Sequence, residues 1–275
     1  MKFSRNAKAF PQHLLLLLAA VAMFFPLIWM ILLSLSDNPP GDSTLSELLY
    51  GKFTFANYAD ALDSDQFARY FFNSVFVSTC IAVASSFFSV LVAYAFARRH
   101  FPFKRTAFAI VLGVLMVPPH VMMISLYREI VSFGWMNTYA ALTIPFLVTP
   151  FGIFLMRQYI LELPYELEEA ATLDGASTWH ILRTIVFPLA RPMLIVLFIY
   201  QFLTAWNSFI FPFLFVNTSS MRTLPVGLAF FLGKQSVDWG HLMAGAGMSA
   251  IPVLVLFAVF QRKIIAGLTA GAVKG

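Results

Sequence analysis

The residues most suited to recognition lie in one charged stretch of an otherwise apolar chain, at residues 163–192. Its first half combines several small side chains with four carboxylates, those of Glu166, Glu168, Glu169 and Asp174. Small side chains let another surface approach the backbone closely, and carboxylates pair with basic groups. Helices that lie on a lipid surface are usually rich in Lys and Arg, because they meet anionic headgroups. The pattern therefore favours docking of a protein partner, with a lipid-surface helix as the alternative.

Helix start and stop signals divide this stretch into two short helices. Pro164 suits the first position of one helix, and Gly175 suits the cap at its end. Ser177 can cap a second helix over residues 178–187, which Pro188 should end. On the first helix, four residues share one face at the spacing i, i+3, i+4 and i+7: Leu167, Ala170, Ala171 and Asp174. We expect this face to meet the partner.

The sequence lacks the residue patterns of catalysis and of metal or nucleotide binding. The 5 histidines are scattered, and none forms a His-Glu-x-x-His pair. The single cysteine, Cys80, excludes an intrachain disulfide and a multi-cysteine metal site, and it is expected to be a small packing residue. No Gly-x-x-x-x-Gly-Lys-Ser/Thr motif is present, so ATP would have to bind to another chain. The sequence predicts no catalytic residue, no metal and no cofactor.

The composition indicates that lipid surrounds the chain. It is 60% hydrophobic and 11% charged, with a mean hydropathy of +0.79. A soluble domain carries roughly 25% charged residues, and a surface with far fewer exposes apolar patches that aggregate. The first apolar run, residues 14–35, is too long for a cleaved signal peptide and is expected to be a retained span. An intramembrane enzyme, such as a protease or lipid transferase, is the rival class of membrane protein.

Windows of about 19 residues predict an all-α polytopic membrane protein with six transmembrane helices. The predicted spans cover residues 13–35, 71–97, 107–127, 139–160, 191–213 and 243–261, so that residues 1–275 form one transmembrane domain. Four prolines interrupt the third and fourth spans: Pro118, Pro119, Pro145 and Pro150. Proline at membrane depth often marks helix that lines a cavity, with a packing kink as the alternative. The polar segment 36–70 is too short for its own core and should cap the outer face.

The distribution of basic residues predicts the orientation of the chain. Most of the 18 Lys and Arg residues fall in segments on the same side as the N-terminus. The positive-inside rule therefore predicts a multi-pass protein with cytoplasmic N- and C-termini and a cytoplasmic loop at 161–190. The same bias accounts for the net charge of +5 without nucleic acid, since no basic run is interleaved with aromatic residues.

A fixed spacing within this loop is similar to that of a known family. Glu169-Ala170-Ala171, three residues, Gly175, nine residues, Ile185, one residue and Phe187-Pro188 resemble the EAA loop of binding-protein-dependent ABC importer permeases. The family pattern has Leu where this chain has Phe187. The run 173–176 is similar to the carbohydrate branch, and the tail 267–275 resembles that of MalG-type permeases of maltose-class importers. The resemblance covers nearly the whole chain.

The resemblance implies sugar import into the cytoplasm, energised by ATP hydrolysis in a separate subunit. The implied fold is the MetI/MalG-like ABC importer permease fold, whose cytoplasmic coupling helix docks in a cleft of the ATPase. The implied partners are an ATPase dimer on the cytoplasmic face, a second permease subunit in a heterodimer, an extracytoplasmic sugar-binding protein and the lipid of a bacterial inner membrane. The implied ATPase-coupling residues are Glu169, Ala170, Ala171, Leu173, Asp174 and Gly175. The tail is implied to contact the ATPase pair as well.

Uncharged polar side chains within the spans are the candidates for the solute path. The spans hold almost no ionisable residues, which argues against ion-coupled transport and favours a mostly neutral solute. A solute such as glycerol-phosphate would need Lys or Arg in the path, whereas Arg128 and Arg157 lie only near span ends. In the fifth span the candidates are Gln201, Thr204, Trp206 and Asn207, because an amide beside an indole commonly contacts sugars. Interhelical packing is the alternative, and the partner permease is the other location for the sugar contacts.

Overall fold

The computed structural model describes residues 3–37, 39–63, 66–232 and 238–272. Over these residues the chain is helical, apart from its loops and one antiparallel bridge between Ser36 and Phe53. The helices are α1 (Phe3–Leu35), α2 (Leu45–Tyr50), α3 (Ala56–Asp63), α4 (Phe67–Arg98), α5 (Lys104–Leu115), α6 (Met123–Ser132), α7 (Tyr139–Thr143), α8 (Pro150–Glu162), α9 (Glu166–Leu173), α10 (Thr178–Ile181), α11 (Phe187–Trp206), α12 (Ile210–Phe215), α13 (Leu224–Leu232) and α14 (Trp239–Ala272). The predicted all-α fold is confirmed.

Among the residues that the structure describes, four helical stretches are long and apolar enough to cross a membrane: Pro11–Leu35, Phe67–Arg98, Thr178–Trp206 and Trp239–Gln261. In the most apolar window of the first stretch 0% of the residues are buried, against 44% in the window of the second. A helix that is apolar on all sides and unburied requires a lipid environment, because water would contact its whole circumference. The most apolar window of α1 is therefore open to its surroundings, whereas nearly half of the corresponding window of α4 is buried by protein.

The third and fourth predicted spans are bent pairs of helices. α5 and the segment Pro119–Ser132 meet at 93°, and the segment Tyr139–Phe146 meets α8 at 40°. Pro119 and Pro150 each stand in the first turn after a bend, where the missing N–H of proline costs no intrahelical bond. The predicted interruptions are confirmed. The structure has four to six candidate spans, and the number is six if each bent pair counts as one span.

The fifth span begins earlier than the sequence predicts. Pro188 was expected to end a separate helix over residues 178–187, and this prediction is wrong, because α10, a π-helical turn at Leu182–Val186 and α11 follow one another without a break. Pro188 lies in the first turn of α11, where proline is tolerated, directly after the wider π turn. The continuous stretch runs from Thr178 to Trp206 rather than over residues 191–213.

The chain divides into two compact units, and the first consists of residues 1–68 and 227–251. Within it, the buried Asn57 donates from Nδ2 to the carbonyl oxygens of Ser34 and Ser36, at 2.9 and 2.7 Å. The hydroxyls of Ser34 and Tyr58 lie 2.8 Å apart. These bonds attach α3 to the end of α1, which is how a polar segment without a core of its own becomes ordered.

The second unit, residues 69–226 and 252–275, contains the charged loop and the polar residues of the fifth span. α4 contributes to two apolar clusters among the described residues of this unit. Val90, Ala93 and Tyr94 belong to a cluster with buried residues of α8, the π turn and α11. Val77 and Ile81 belong to a second cluster with residues of α6, α7 and α12. α4 therefore connects these two apolar clusters.

Candidate functional site

The charged loop folds into two short helices at the predicted signals. α9 begins at Glu166, two residues after Pro164, and its first turn carries three glutamates, which the positive end of the helix dipole favours. α10 begins after Ser177, whose hydroxyl accepts from the backbone amide of His180 at 3.3 Å. The predicted cap at Ser177 is confirmed, while the start of the first helix is displaced by two residues.

Gly175 ends α9 in the predicted way. Its φ is +81°, in the left-handed region that glycine adopts without a Cβ penalty. The amides of Gly175 and Ala176 donate to the carbonyls of Thr172 and Ala171, at 3.0 and 2.9 Å. This pair of bonds is the Schellman ending of a helix. α9 therefore has a sharply defined C-terminus instead of a frayed one.

Most of the predicted coupling residues lie on the open surface of this loop. The exposed ones are Glu169, Ala170, Leu173, Asp174 and Gly175. Leu173 is 90% exposed, a high value for a large apolar side chain. Ala171 differs, since it is half-buried and packs against the apolar core of the second unit. The face predicted from the helical spacing is thus divided, with Ala170 and Asp174 outside and Ala171 inside.

Glu168 is buried although Leu167 and Glu169 on either side of it are exposed. Its Oε1 accepts from Nε of Arg98 at 2.8 Å, and the two side chains are only 5% and 10% exposed. Arg98, the last residue of α4, also donates from Nη2 to the carbonyl of Leu163 at 2.7 Å. Its guanidinium carbon lies 5.1 Å from the ring centre of Tyr165. One arginine therefore holds the chain before α9 and α9 itself.

Other basic residues near this end of α4 are engaged within the chain. Arg99 donates to the hydroxyl of Thr178, and Lys104 donates from Nζ to the carbonyl of Arg99 at 2.8 Å. Arg157 lies 4.1 Å above the ring centre of Phe108, an energetically favourable cation–π distance. Arg157 is thus committed to packing, which weakens it as a contact for an anionic solute.

A second polar group lies where the fourth span bends. The hydroxyl of Thr149 accepts from Nε2 of Gln201 at 2.6 Å and lies 3.3 Å from the hydroxyl of Ser85. It also caps α8 by accepting from the amide of Gly152 at 3.2 Å. A Cβ at Gly152 would collide with the hydroxyl of Ser89, so the backbones of α8 and α4 approach closely there. Small and neutral polar residues connect helices in this way within membranes.

The structure separates the four predicted pathway residues of α11 into two pairs. Gln201 and Trp206 are buried, the first against Thr149 and the second stacked on Phe202 with ring centres 5.7 Å apart. Thr204 and Asn207 are exposed, and each donates to a backbone carbonyl one turn earlier in the helix, at 2.8 and 2.9 Å. The four residues therefore do not form one cluster.

Sequence reasoning missed Arg98 and Thr149, and it placed Glu168 among the carboxylates that should meet a partner, whereas the structure buries Glu168 against Arg98. Thr149 had a usable signal, because Thr directly before Pro150 is a typical start of a helix. Arg98 and Glu168 had none that links them, since they lie 70 positions apart and the loop offers several other carboxylates.

Two further predictions concern metal binding and the tail. Within residues 3–37, 39–63, 66–232 and 238–272, no group of three His, Cys, Asp or Glu residues could hold a metal ion. In the tail, α14 extends to Ala272, while residues 273–275 lie outside the described residues. The predicted contact between the tail and an ATPase therefore stays a prediction.

The sequence matches a family model and several curated proteins. The model described as "Binding-protein-dependent transport system inner membrane component" matches residues 85–270. The chain is 36% identical to the trehalose/maltose transport system permease protein MalG of Thermococcus litoralis, over 96% of this chain and 98% of that one. It is 36% identical to the arabinooligosaccharides transport system permease protein AraQ of Halalkalibacterium halodurans, over 91% of each. It is 33% identical to the melibiose/raffinose/stachyose import permease protein MelC of Bacillus subtilis, over 98% and 100%.

The fold matches solved structures of membrane transporters. A chain of a bacterial ABC transporter involved in the import of the acidic polysaccharide alginate superposes with a TM-score of 0.83 at 23% identity, covering 95% of this chain and 98% of that one. A chain from the alginate transporter in complex with an alginate pentasaccharide-bound periplasmic protein gives 0.66 at 16% identity, covering 96% and 98%. The predicted ABC importer permease fold is confirmed.

Proposed function

The chain belongs to the family of binding-protein-dependent transport system inner membrane components, and from this premise we propose that it imports a sugar with energy from ATP hydrolysis in a separate ATPase subunit. The family consists of membrane permease subunits, which are not enzymes. The curated relatives are named for transport of trehalose and maltose, of arabinooligosaccharides, and of melibiose, raffinose and stachyose. The proposed solute is accordingly a neutral disaccharide or oligosaccharide.

One observation carries the ATPase part of the proposal: the exposed apolar tip of α9. Leu173 is 90% exposed beside Ala170, on a helix whose end is fixed by Gly175. An apolar side chain in this position gains roughly 1.5–3 kcal/mol when a partner covers it. We assign Glu169, Ala170, Leu173, Asp174 and Gly175 to contact with the ATPase. Ala171 supports them from the inner side of the helix, where it packs on the core.

The proposed solute path runs along the exposed side of α11, beside Thr204 and Asn207. An amide that faces hydrocarbon without full hydrogen bonding is costly, so it should face a water-filled path or the second permease subunit. Gln201 and Trp206 would then support α11 from behind. Cysteines at positions 204 and 207, in a chain with Cys80→Ser, should react with water-soluble reagents and be protected by substrate. Complete inaccessibility of both positions would assign them to packing.

The proposed arrangement places both termini and the loop 161–190 in the cytoplasm, because most basic residues lie on that side. There the loop can meet an ATPase dimer. A second permease subunit and an extracytoplasmic sugar-binding protein complete the proposed assembly in the inner membrane. The structural relative of 16% identity comes from a complex with a periplasmic protein, which is consistent with such an assembly.

The test is a bulky substitution at the exposed tip of α9. Ala170→Trp should lose the ATPase during purification in mild detergent and should lower ATP-dependent uptake in proteoliposomes at least tenfold. Ala170 is preferable to Gly175 for this purpose, because a side chain at Gly175 would also strain the backbone. The matched control is Ser132→Trp, which adds the same indole to an exposed position at the end of α6. Normal retention of the ATPase and normal uptake with Ala170→Trp would overturn the proposal.

A further inference from the structure

The charged end of α4 makes a direct connection to the loop that carries α9. Arg98 reaches Glu168 at 2.8 Å and the carbonyl of Leu163 at 2.7 Å, and its guanidinium covers the ring of Tyr165. These groups lie before and within α9. The exposed residues assigned to the ATPase contact lie on the other side of the same helix. One face of α9 is therefore fixed to α4, and the opposite face is available to bind a partner.

Stability alone does not account for the use of charges here. A buried ion pair pays a desolvation cost that offsets most of its Coulomb attraction, and apolar residues of similar volume often stabilise as well. What a hydrogen-bonded pair adds is direction, because the guanidinium donates only along its N–H bonds. An apolar contact, such as that of Ala171 with the core, allows sliding. The ion pair fixes the position of α9 against the end of α4.

α4 runs from this connection at Arg98 back to Phe67. It has 32 residues, which corresponds to about 48 Å at 1.5 Å per residue. Along this length Ser85 lies against the Thr149 group, next to the bend of the fourth span. Nearer its start Asn73 bonds to the carbonyls of Ser220 and Arg222. A displacement of Arg98 would therefore reach the bent span and the loop before α13.

We propose that Arg98 and Glu168 are positioning residues that pass the movement of α9 to α4, so that ATP hydrolysis by the partner is converted into movement of the spans. The proposal rests on the proposed function, since it needs an ATPase that moves α9. Both side chains are buried within the chain, so they would act through α4 and α9. The pair acts as the attachment between the docking helix and the membrane-spanning helix.

The experiment measures solute imported per ATP hydrolysed, in proteoliposomes that hold the complete complex. Glu168→Gln removes the charge of the pair and leaves the exposed ATPase contact intact. We expect the ATPase to stay bound and hydrolysis to change by no more than about twofold, while solute per ATP falls about tenfold. Arg98→Lys keeps a charge but loses the guanidinium geometry, and it should give an intermediate ratio. Glu129→Gln, at an exposed glutamate of α6 outside the docking loop, is the matched control and should keep the wild-type ratio.

The ratio distinguishes transmission from simple structural support. A structural role would lower the yield and thermal midpoint of the variants, yet surviving complexes would import as much solute per ATP as the wild type. A wild-type ratio in Glu168→Gln overturns the inference, and so does loss of the ATPase from that variant, which would make Glu168 a docking residue. If the Glu168→Gln chain does not fold and insert into the membrane, the solute-per-ATP ratio of Arg98→Lys decides. A wild-type chain that transports without any ATPase overturns the proposed function, and the inference with it.

Discussion

The two ends of α4 hold their surroundings by different chemistry. Near its start, the fully buried Asn73 donates from Nδ2 to the carbonyls of Ser220 and Arg222, both at 2.9 Å. Its Oδ1 accepts from the hydroxyl of Tyr139 at 2.6 Å. A neutral amide thus satisfies two backbone carbonyls and a phenol. At the other end, Arg98 uses a full charge to hold Glu168.

The difference shows what each end has to do. The amide end closes a loop onto neighbouring helices, and Leu224, which follows that loop, is buried. The charged end fixes α9 by its inner face and leaves Leu173 in the open. Removing one partner of a buried ion pair is costly. The pair therefore restrains the position of α9 while the outer face of the helix stays uncovered. The buried ion pair thus occurs where α9 must be held against α4 on one face while its other face stays exposed to a partner.

The largest expected effect is on stability at the charged end. Glu168→Leu leaves the guanidinium of Arg98 buried without its carboxylate, so the free energy of unfolding should fall by about 3–5 kcal/mol. The double variant Arg98→Met/Glu168→Leu removes both charges and should recover most of that loss, because apolar residues of similar volume often replace a buried pair without cost. Thermal unfolding in detergent measures both. A double variant as unstable as the single one would show that the other contacts of the pair dominate, namely those of Arg98 with Leu163 and Tyr165 and that of Glu168 with the hydroxyl of Tyr94.

The amide end should respond more weakly and without rescue. Asn73→Ala leaves two carbonyls and one hydroxyl without their partner, and it should lower the free energy of unfolding by about 2–3 kcal/mol. Tyr139→Phe removes one of the three bonds and should cost about 1 kcal/mol in the same assay. Equal losses in the two variants would mean that the carbonyls of Ser220 and Arg222 gain little from Asn73.

The two ends also show which features the sequence could predict. The caps at Gly175 and Ser177 were predictable, because their signals and effects lie within a few residues of each other. The bends at Pro119 and Pro150 were predictable for the same reason. Pro188 was misjudged, because a π turn that the sequence does not announce lets the helix continue past it.

Side-chain pairs across the fold could not be predicted. Arg98 and Glu168 are 70 positions apart, Gln201 and Thr149 are 52 apart, and Asn73 and Ser220 are 147 apart. Each pair depends on how helices pack, and spacing along the chain carries no information about that. For the same reason the sequence pattern predicts one group of four candidates on α11, although packing turns Gln201 and Trp206 inward.

The smallest expected effect compares two glycines in the second unit. Gly175 ends α9 with φ +81°, and Gly134 ends α6 with φ +68°; a Cβ would meet no atom within 4 Å at either position. Alanine should therefore cost only the left-handed backbone, about 1 kcal/mol in each case, as measured by thermal unfolding. Asparagine tolerates this conformation better and should cost less than alanine at both positions.

ATP-dependent uptake should distinguish Gly175 from Gly134, although substitutions at the two positions should cost the same stability. Gly175→Ala disturbs the end of the helix that the ATPase is proposed to grip, so ATP-dependent uptake should fall severalfold, with Gly175→Asn closer to the wild type. Gly134→Ala has the same backbone cost at the end of α6, and the buried Ile130 of this helix belongs to the apolar cluster at the amide end of α4. This variant should leave uptake near the wild-type rate. Equal losses of uptake in the two alanine variants would mean that transport follows stability alone. The distinction between an end that only closes the fold and an end that also presents a helix would then be wrong.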